Sequence, residues 1–214
     1  MPYLPDSGFD FVASFYDPLA RLVYGRSLQR AQQAALYTGL PDGLPHVLII
    51  GGGTGWVLGQ VLRLQPKARV VYVEASARML ARSKAWARRH LPQHLGQIEF
   101  RLGTEASLPP SSCFDAVVTF FFLDLFEPVR LRSITERLGS LLTPGGRWLL
   151  ADFARPRTWW QHVLLTLMYW FFGLTTGIRA RRRPPIEDEL ARLGRVSTPA
   201  GQFFGGMVAA SVWR

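Results

Sequence analysis

Apolar and polar residues follow two patterns along the middle of the chain, one typical of buried strands and one typical of amphipathic helices. Continuous apolar runs such as the one in His46–Ile50 indicate strands that are buried on both faces. Stretches with apolar residues three or four positions apart follow these runs and indicate helices. We predict strands over His46–Ile50, Arg69–Val73, Gln97–Arg101, Phe114–Phe120 and Arg147–Ala151, and helices over Val57–Leu64, Ser76–Leu91 and Pro128–Leu142. The alternation predicts an α/β fold with a doubly wound, mostly parallel sheet.

The two ends of the chain depart from this alternation. Phe11–Leu40 has apolar residues at helical spacing with a break before Pro18, which predicts an N-terminal helical arm. Val196–Phe204 and Met207–Trp213 are strand-like and joined by two glycines, which predicts an antiparallel hairpin. We therefore expect a single domain over residues 1–214, made of an arm (1–45), a core (46–152), a hydrophobic insertion (153–185), and a final helix with the hairpin (186–214).

The insertion is too apolar and aromatic to be an ordinary connection. Val163–Leu174 is apolar nearly all round, the preceding residues include Trp159 and Trp160, and Arg179–Arg183 adds a cationic flank. This composition is typical of an apolar cap or of a helix at a membrane surface. A membrane span is rejected, because the segment is short and a single crossing would separate the hairpin from its sheet. A helix buried against the sheet or in a subunit contact is the alternative.

Composition narrows the class of protein. An apolar content of 48% excludes disorder as the main state, and 25 Lys and Arg against 15 Asp and Glu give a formal charge of +10. Such a charge favours anionic partners or surfaces. Only two of the 25 are lysine, and a bias in genomic base composition explains this preference for arginine as well as a function does. The single cysteine, Cys113, excludes an intramolecular disulfide and a cysteine-rich zinc site. His90 and His94 are separated by Pro92, so no metal site is predicted.

The start of the chain bears on where the protein works. Met1–Asp10 has neither the basic start nor the long apolar stretch of a secretory signal. We therefore expect a cytoplasmic protein, with peripheral contact at the inner face of the membrane through the insertion.

A glycine-rich turn carries the clearest chemical signal. The first strand runs directly into Gly51–Gly55 (GGGTG), and such a turn between strand and helix lets a ligand approach the backbone. Glu74 ends the second strand, where a carboxylate can accept hydrogen bonds from ribose hydroxyls. Trp56 and Val57 follow the turn, so the Lys-Ser/Thr of an ATP phosphate loop and the last glycine of a dinucleotide fingerprint are both missing. The pattern favours a nucleoside ligand without a pyrophosphate.

Five motifs in this order resemble those of the class I S-adenosylmethionine-dependent methyltransferases. They are VLIIGGGTG (47–55), VYVEAS (71–76), GTEASLP (103–109), FDAVVT (114–119) and LLTPGGRWLL (141–150). The resemblance implies a seven-stranded sheet whose last strand is antiparallel, S-adenosylmethionine as cofactor, and methyl transfer as the activity. The arm is similar to that of the ubiquinone/menaquinone C-methyltransferases and related lipid and small-molecule methyltransferases.

The resemblance also implies roles for individual residues. The glycines would line the methionine and ribose parts of the cofactor, and Glu74 would bind the ribose. Thr104 and Glu105 would flank the adenine, while Phe120 would lie beside the sulfonium. Tyr16 would close over the site from the arm. The implied cofactor-binding residues are Tyr16, Gly51, Gly52, Gly53, Gly55, Glu74, Ala75, Thr104, Glu105 and Phe120.

Few residues near the strand ends could act as a general base. Methyl transfer starts from an activated sulfonium, so the protein mainly has to position the acceptor and exclude water. Asp124, Asp152 and His162 could accept a proton, and we place Asp124 and His162 in the predicted catalytic site. The alternatives are a helix cap for Asp124, an arginine partner for Asp152, and a polar helix edge for His162.

The methyl acceptor is predicted to be small and hydrophobic or lipid-like, held by the insertion and the arm. The fourth strand ends in FFFLD (120–124) and lacks the Asn/Asp-Pro-Pro-aromatic motif of nucleobase amino methyltransferases. Only the positive charge of the chain therefore favours a nucleic acid as the methyl acceptor. An RNA methyltransferase is therefore the alternative enzyme. A nonenzymatic cofactor-binding protein is the other alternative, because Ile49 and Thr104 stand where the family often has acidic residues.

Overall fold

The structure, a computed structural model, describes residues 23–176 and 183–214. Its centre is a seven-stranded sheet with the strand order β3-β2-β1-β4-β5-β7-β6. All neighbouring strands are parallel except for β7, which is antiparallel to both β5 and β6. The predicted fold is confirmed. The strands are β1 His46–Ile50, β2 Arg69–Glu74, β3 Ile98–Leu102, β4 Phe114–Phe120, β5 Leu142–Phe153, β6 Ser197–Phe203 and β7 Val208–Trp213.

Six α-helices and three short 3₁₀ segments connect the strands in the described part of the chain. Helix α3 begins where predicted because the Ser76 hydroxyl accepts a hydrogen bond from the Met79 amide (3.1 Å), which caps its first turn. The helices are α1 Ser27–Gly39, α2 Trp56–Leu64, α3 Ala77–His90, α4 Pro128–Ser140, α5 Trp159–Thr176 and α6 Ile186–Arg192. The 3₁₀ segments are Pro92–Gln97, Glu105–Ser107 and Leu123–Leu125.

Two apolar layers hold the helices on the sheet. Helices α1, α2, α3 and α5 share one layer, in which Leu36, Leu58 and Leu165 are buried. Helices α4 and α6 cover the other face, where Leu131 and Leu190 are buried. The alternating side chains of each strand serve both layers, which explains why the central strands read as continuous apolar runs.

The predicted C-terminal hairpin is also confirmed. Its turn needs left-handed backbone at three consecutive residues, with φ of 51° at Phe204, 62° at Gly205 and 85° at Gly206. The glycines adopt this conformation without a Cβ penalty. The hairpin places β7 against β5, so that Ala210 pairs with Ala151.

The insertion forms α5, which packs one side on the sheet. Leu165 is 4% exposed, and Trp160 meets the ring of Phe204 with a centroid distance of 5.8 Å. Within residues 23–176 and 183–214, no helix combines the length and the apolar character that crossing a membrane requires. Part of the predicted arm, including the break at Pro18, and Arg179, Arg181 and Arg182 of the cationic flank lie outside the described residues.

Candidate cofactor and acceptor site

The glycine turn lies at the carboxyl end of β1, between its neighbours β2 and β4. The order of the strands reverses at this point, and open α/β sheets bind ligands at such switch points. The turn is tied to the sheet by a hydrogen bond from the Gly51 amide to the Val73 carbonyl (3.0 Å). Gly51, Gly53 and Gly55 all have positive φ, at 67°, 62° and 98°, so side chains would be strained at each position.

At three of the four glycine positions in the turn, close packing leaves no room for a side chain. A Cβ at Gly51 would lie 2.5 Å from the Phe122 ring, and one at Gly52 would lie 2.6 Å from the Tyr72 ring. A Cβ at Gly55 would lie 3.2 Å from the Cα of Ser83. Gly53 differs, because a Cβ there would meet nothing within 4 Å. Gly53 is therefore the position where the turn borders open space that a ligand could fill.

Glu74 is held against this turn. It is 8% exposed, and its carboxylate accepts hydrogen bonds from the amides of Gly53 (3.1 Å) and Ser76 (3.0 Å). The Tyr72 hydroxyl donates to the Gly53 carbonyl (2.9 Å), so the peptide units on both sides of Gly53 are fixed. Ala75 lies half-buried between the two anchored residues Glu74 and Ser76. The geometry presents a fixed negative charge beside an open stretch of backbone.

A hydrogen bond holds the segment after β3 close to Glu74. The Gly103 amide donates to the Glu74 carbonyl (3.0 Å), and the Thr104 hydroxyl accepts from the Ala106 amide (3.3 Å). Glu105 is 3% exposed and forms an ion pair with Arg130 (2.6 Å). Glu105 thus anchors this segment to α4, in addition to the adenine contact that the resemblance implies for it.

Phe120, at the end of β4, and Tyr16, in the arm, are the remaining predicted cofactor-binding residues. Phe120 ends β4 and is 7% exposed, in the apolar layer below the turn. Tyr16 lies outside the described residues. Phe121 follows with a positive φ of 51°, and its ring meets that of Phe153 at a centroid distance of 5.4 Å. The chain therefore turns sharply between β4 and the acidic residue that follows.

Asp124 and Asp152 form a buried pair of carboxyl groups at the ends of β4 and β5. They are 2% and 3% exposed, and the two groups lie within hydrogen-bonding reach of each other. Burial raises the pKa of Asp124 to about 7, against the opposing effect of the positive charge of Arg183. Burial, and then the neighbouring charge of Asp124, also raises the pKa of Asp152. Burial and the neighbouring charge therefore disfavour the ionisation of both carboxyl groups at once.

Arg183 and Tyr24 surround this pair, and sequence reasoning missed both roles. The Arg183 side chain is 7% exposed and donates to the Phe153 carbonyl and the Glu187 carboxylate. The expectation that Arg183 belongs to an exposed cationic flank is therefore wrong. Burial, followed by the charge of Asp124, raises the pKa of the Tyr24 hydroxyl. Its helical spacing to Leu28 and to the buried Ala31 is the signal that could have identified Tyr24.

His162, the other predicted base, stands apart from the acids. It is exposed on α5, and its Nδ1 lies 3.0 Å from the Thr158 carbonyl oxygen, one turn earlier. Within residues 23–176 and 183–214, no hydrogen bond or ion pair joins His162 to Asp124 or Asp152.

Comparisons with known proteins bear on the family of the chain. A methyltransferase domain family matches residues 47–146. Two ubiquinone/menaquinone biosynthesis C-methyltransferases are similar to the chain. The protein from Syntrophotalea carbinolica is 30% identical over 151 residues, which is 69% of this chain and 60% of the relative. The protein from Rubrivivax gelatinosus is 26% identical over 159 residues, 74% of this chain and 59% of the relative. These matches support a class I S-adenosylmethionine-dependent methyltransferase.

The fold of almost the whole chain is shared with a solved structure. A solved structure of a DhpI–SAM–HEP complex is 22% identical, with a TM-score of 0.66 over 98% of this chain and 96% of that chain. The chain spans about 60% of the length of the two curated relatives. The residues present fit the family's cofactor, because Gly53 leaves room for a ligand and Glu74 places a carboxylate at the strand end.

Proposed function

We propose that this methyltransferase transfers a methyl group from S-adenosylmethionine to a small hydrophobic or lipid-like acceptor. The observation that carries the proposal is the open face of Gly53 beside the fixed carboxylate of Glu74. The cofactor supplies a methyl group on a positively charged sulfur, which is already activated. Gly53 would meet the ligand with backbone, and Glu74 would accept hydrogen bonds from its ribose hydroxyls.

Aromatic side chains between the glycine turn and α5 support an apolar acceptor. The ring of Phe153 lies 5.4 Å from those of both Tyr24 and Phe121, measured between centroids. The Tyr24 hydroxyl contacts Met168 of α5, with the oxygen 3.4 Å from the sulfur. Such surroundings exclude water and favour an apolar molecule with a small number of polar groups.

The outer side of α5 supports access from a membrane. Trp159 (79% exposed), Val163 (50%), Leu167 (56%) and Trp170 (66%) are spaced three or four residues apart, so they share one face of the helix. An exposed apolar stripe with tryptophans is typical of helices that lie in a membrane interface. The formal charge of +10 adds attraction to anionic lipid. We propose that this face holds the protein where a lipid-like acceptor is found.

The experiment follows a labelled methyl group into acceptor fractions. The protein is incubated with methyl-labelled S-adenosylmethionine and either a membrane lipid extract or total RNA. We expect label in an organic-soluble product of the lipid extract. Label in RNA would instead establish the alternative enzyme, and cofactor binding without transfer to either fraction would establish a nonenzymatic binding protein.

Two glutamates provide a matched pair of variants for this assay. Glu74→Gln removes the charge beside Gly53, whereas Glu99→Gln removes the charge of an exposed residue on β3 that pairs with Arg101. Transfer should be lost in the first variant and kept in the second. Equal transfer in both would exclude the proposed cofactor site.

A further inference from the structure

Two buried acidic side chains, one near the end of β5 and one shortly after β4, act on each other inside the protein. β4 and β5 are parallel partners, and Phe120 of β4 pairs with Ala151 of β5. Asp152 is the next residue of β5, and Asp124 lies in the 3₁₀ segment Leu123–Leu125 that follows β4. The topology therefore brings two carboxyl groups together at the edge of the sheet that carries the glycine turn.

The hydrogen bonds around this pair are incomplete unless it holds a proton. One oxygen of Asp152 accepts from the Phe153 amide (2.8 Å). Asp124 Oδ1 and Asp152 Oδ2 are buried, and among the described residues neither has a donor. Buried polar atoms are rarely left without a partner, because each costs about 1–3 kcal/mol. A proton shared between the two carboxyl groups supplies the missing donor.

Neighbouring residues connect the pair to the glycine turn and to α5. Phe122, two residues before Asp124, packs its ring so closely on Gly51 that a Cβ there would lie 2.5 Å from it. From the other side, the charge of Asp124 acts on the Tyr24 hydroxyl, which in turn contacts Met168 of α5. Asp124 is therefore linked to the glycine turn through the nearby Phe122 and to α5 through Tyr24.

We propose that Asp124 and Asp152 together accept the proton that an acceptor loses on methylation. This inference rests on the proposed function and deepens it, because it restricts the acceptor to groups that carry such a proton, namely hydroxyls, thiols, enols, N–H amines and acidic carbon atoms. Acceptors such as tertiary amines and aromatic ring nitrogens gain a methyl group without losing a proton and have no need of the pair.

The balance of the step is simple. The acceptor oxygen or carbon forms a bond to the methyl group, and the carbon–sulfur bond of the sulfonium breaks with its electron pair left on sulfur. The proton of the acceptor passes to the ionised carboxylate of Asp124, while Asp152 keeps the proton already held by the pair. The step ends with a neutral thioether, a methylated acceptor and two protonated carboxyl groups.

The charges around the pair suit this role. Arg183, which enters from the segment before α6, places a guanidinium near both carboxyl groups and is itself bound to Phe153 and Glu187. Tyr24 from the segment before α1, and Glu187 of α6, are the other titratable groups whose charges act on the pair. Arg183 is ion-paired with Glu187 and also acts on Asp124, so when Asp124 takes up a proton the guanidinium keeps Glu187 as its partner.

The test compares two probe acceptors of similar size. 2-Naphthol loses a proton when its oxygen is methylated, whereas isoquinoline is methylated on a ring nitrogen that has no proton. Transfer from labelled S-adenosylmethionine is measured for the wild type, Asp124→Asn and Asp152→Asn, with Asp188→Asn as an exposed control that pairs with Arg155. Calorimetry with S-adenosylhomocysteine reports cofactor binding separately, so failure of the proposed function is recognised on its own.

We expect the wild type to methylate 2-naphthol at a rate that rises with pH through about 7, the pKa of Asp124. In Asp124→Asn, kcat for 2-naphthol should fall by about 100-fold or more, with cofactor affinity unchanged. Asp152→Asn should lower kcat and shift the pH profile, whereas Asp188→Asn should behave like the wild type. Any transfer to isoquinoline should change by less than about threefold in all variants.

Three results would overturn the proposal. One is an equal loss of transfer to both probes in the Asn variants, which would indicate a structural role. Another is wild-type transfer to isoquinoline without transfer to 2-naphthol. The last is a wild type that binds S-adenosylhomocysteine but labels neither probe nor an apolar 1,3-diketone, which serves as the carbon acid.

Discussion

The Glu74 carboxylate accepts a hydrogen bond from the Gly53 amide at 3.1 Å, and this contact joins the ends of β1 and β2. The negative charge is thereby fixed beside the one glycine of the turn that borders open space. The two residues form a single structural unit. A change at either should therefore affect ligand binding more than it affects the fold.

Replacing Gly53 with alanine tests whether a change in this unit affects ligand binding more than stability. Ala at a φ of 62° costs about 1–2 kcal/mol of stability, but no atom lies within 4 Å to clash with the new methyl group. We expect a modest loss of stability and a loss of S-adenosylhomocysteine affinity of at least tenfold, because the methyl group occupies ligand space. Calorimetry and urea unfolding measure the two effects.

Gly194 offers a matched control for this substitution. Its φ is 74°, and it also has nothing within 4 Å of an added Cβ, but it lies in the turn after α6. Gly194→Ala should lose similar stability with no change in affinity. If both variants lose affinity alike, general strain rather than ligand contact would be the cause.

The pH dependence of stability reports on the carboxyl pair. The folded-state pKa of Asp124, about 7, lies above its ordinary value of 3.8, so the folded protein binds more protons than the unfolded chain between these values. This contribution to stability is present below about pH 4 and is lost as the pH rises through 7. Burial also raises the pKa of Asp152 in the folded protein, and Asp152→Asn replaces this carboxyl group with an amide that cannot ionise, so it removes the contribution of Asp152 to the pH dependence.

Urea unfolding at pH 5 and pH 8 provides the measurement. Relative to the wild type, Asp152→Asn should become more stable at the higher pH, by an amount on the order of a few kcal/mol. The exposed control Asp188→Asn should follow the wild-type curve. A constant difference between Asp152→Asn and the wild type would mean that the pair ionises normally.

The exposed stripe of α5 predicts binding to anionic vesicles. Trp159→Ser with Trp170→Ser removes two exposed aromatic side chains without touching the buried Leu165. In flotation with vesicles that contain phosphatidylserine, we expect the wild type to associate and the double variant to lose most of the association. High salt should weaken the wild type, because the protein carries +10.

Val129 supplies the control for the vesicle experiment. It is 87% exposed on α4, which covers the opposite face of the sheet. Val129→Ser should bind vesicles like the wild type. Equal binding of wild type and double variant would exclude α5 as the contact, and equal binding to neutral and anionic vesicles would exclude the electrostatic contribution.

The ion pair between Arg130 and Glu105 links α4 to the segment after β3, for which the resemblance implies a contact with the adenine. Arg130→Gln leaves the Glu105 carboxylate buried without its ionic partner. We expect a loss of about 1–2 kcal/mol, since Arg130 is half exposed, together with weaker binding of S-adenosylhomocysteine. Unchanged affinity in a destabilised variant would show that the pair serves the fold alone.

Local patterns in the sequence were sufficient to predict the sheet and its hairpin. The apolar runs, the glycine turn and the position of Glu74 all depend on neighbours within a few residues. Strand boundaries moved where packing extended them, as in β5, which runs from Leu142 to Phe153 rather than over Arg147–Ala151. The helix predicted over Ser76–Leu91 spans Ala77–His90, with Ser76 as its cap.

Contacts between distant residues could not be predicted in this way. Sequence gave no sign that Asp124 and Asp152 meet, because their contact depends on strand pairing and on the turn at Phe121. Arg183 stands in a run of arginines, and nothing in that run distinguishes the side chain that folds back onto Phe153. Gly51 and Gly53 are also alike in sequence, although one packs on Phe122 and the other borders open space.

Calorimetry of S-adenosylhomocysteine binding to the wild type, Glu74→Gln and Glu99→Gln tests the central claim most directly. We expect the wild type and Glu99→Gln to bind alike and far more tightly than they bind NAD, for which Trp56 replaces the glycine that a dinucleotide turn requires. Glu74→Gln should lose about 1.5–3 kcal/mol of binding free energy, since the ribose hydroxyls lose a charged acceptor. Equal affinity in all three proteins, or tighter binding of NAD, would contradict the account.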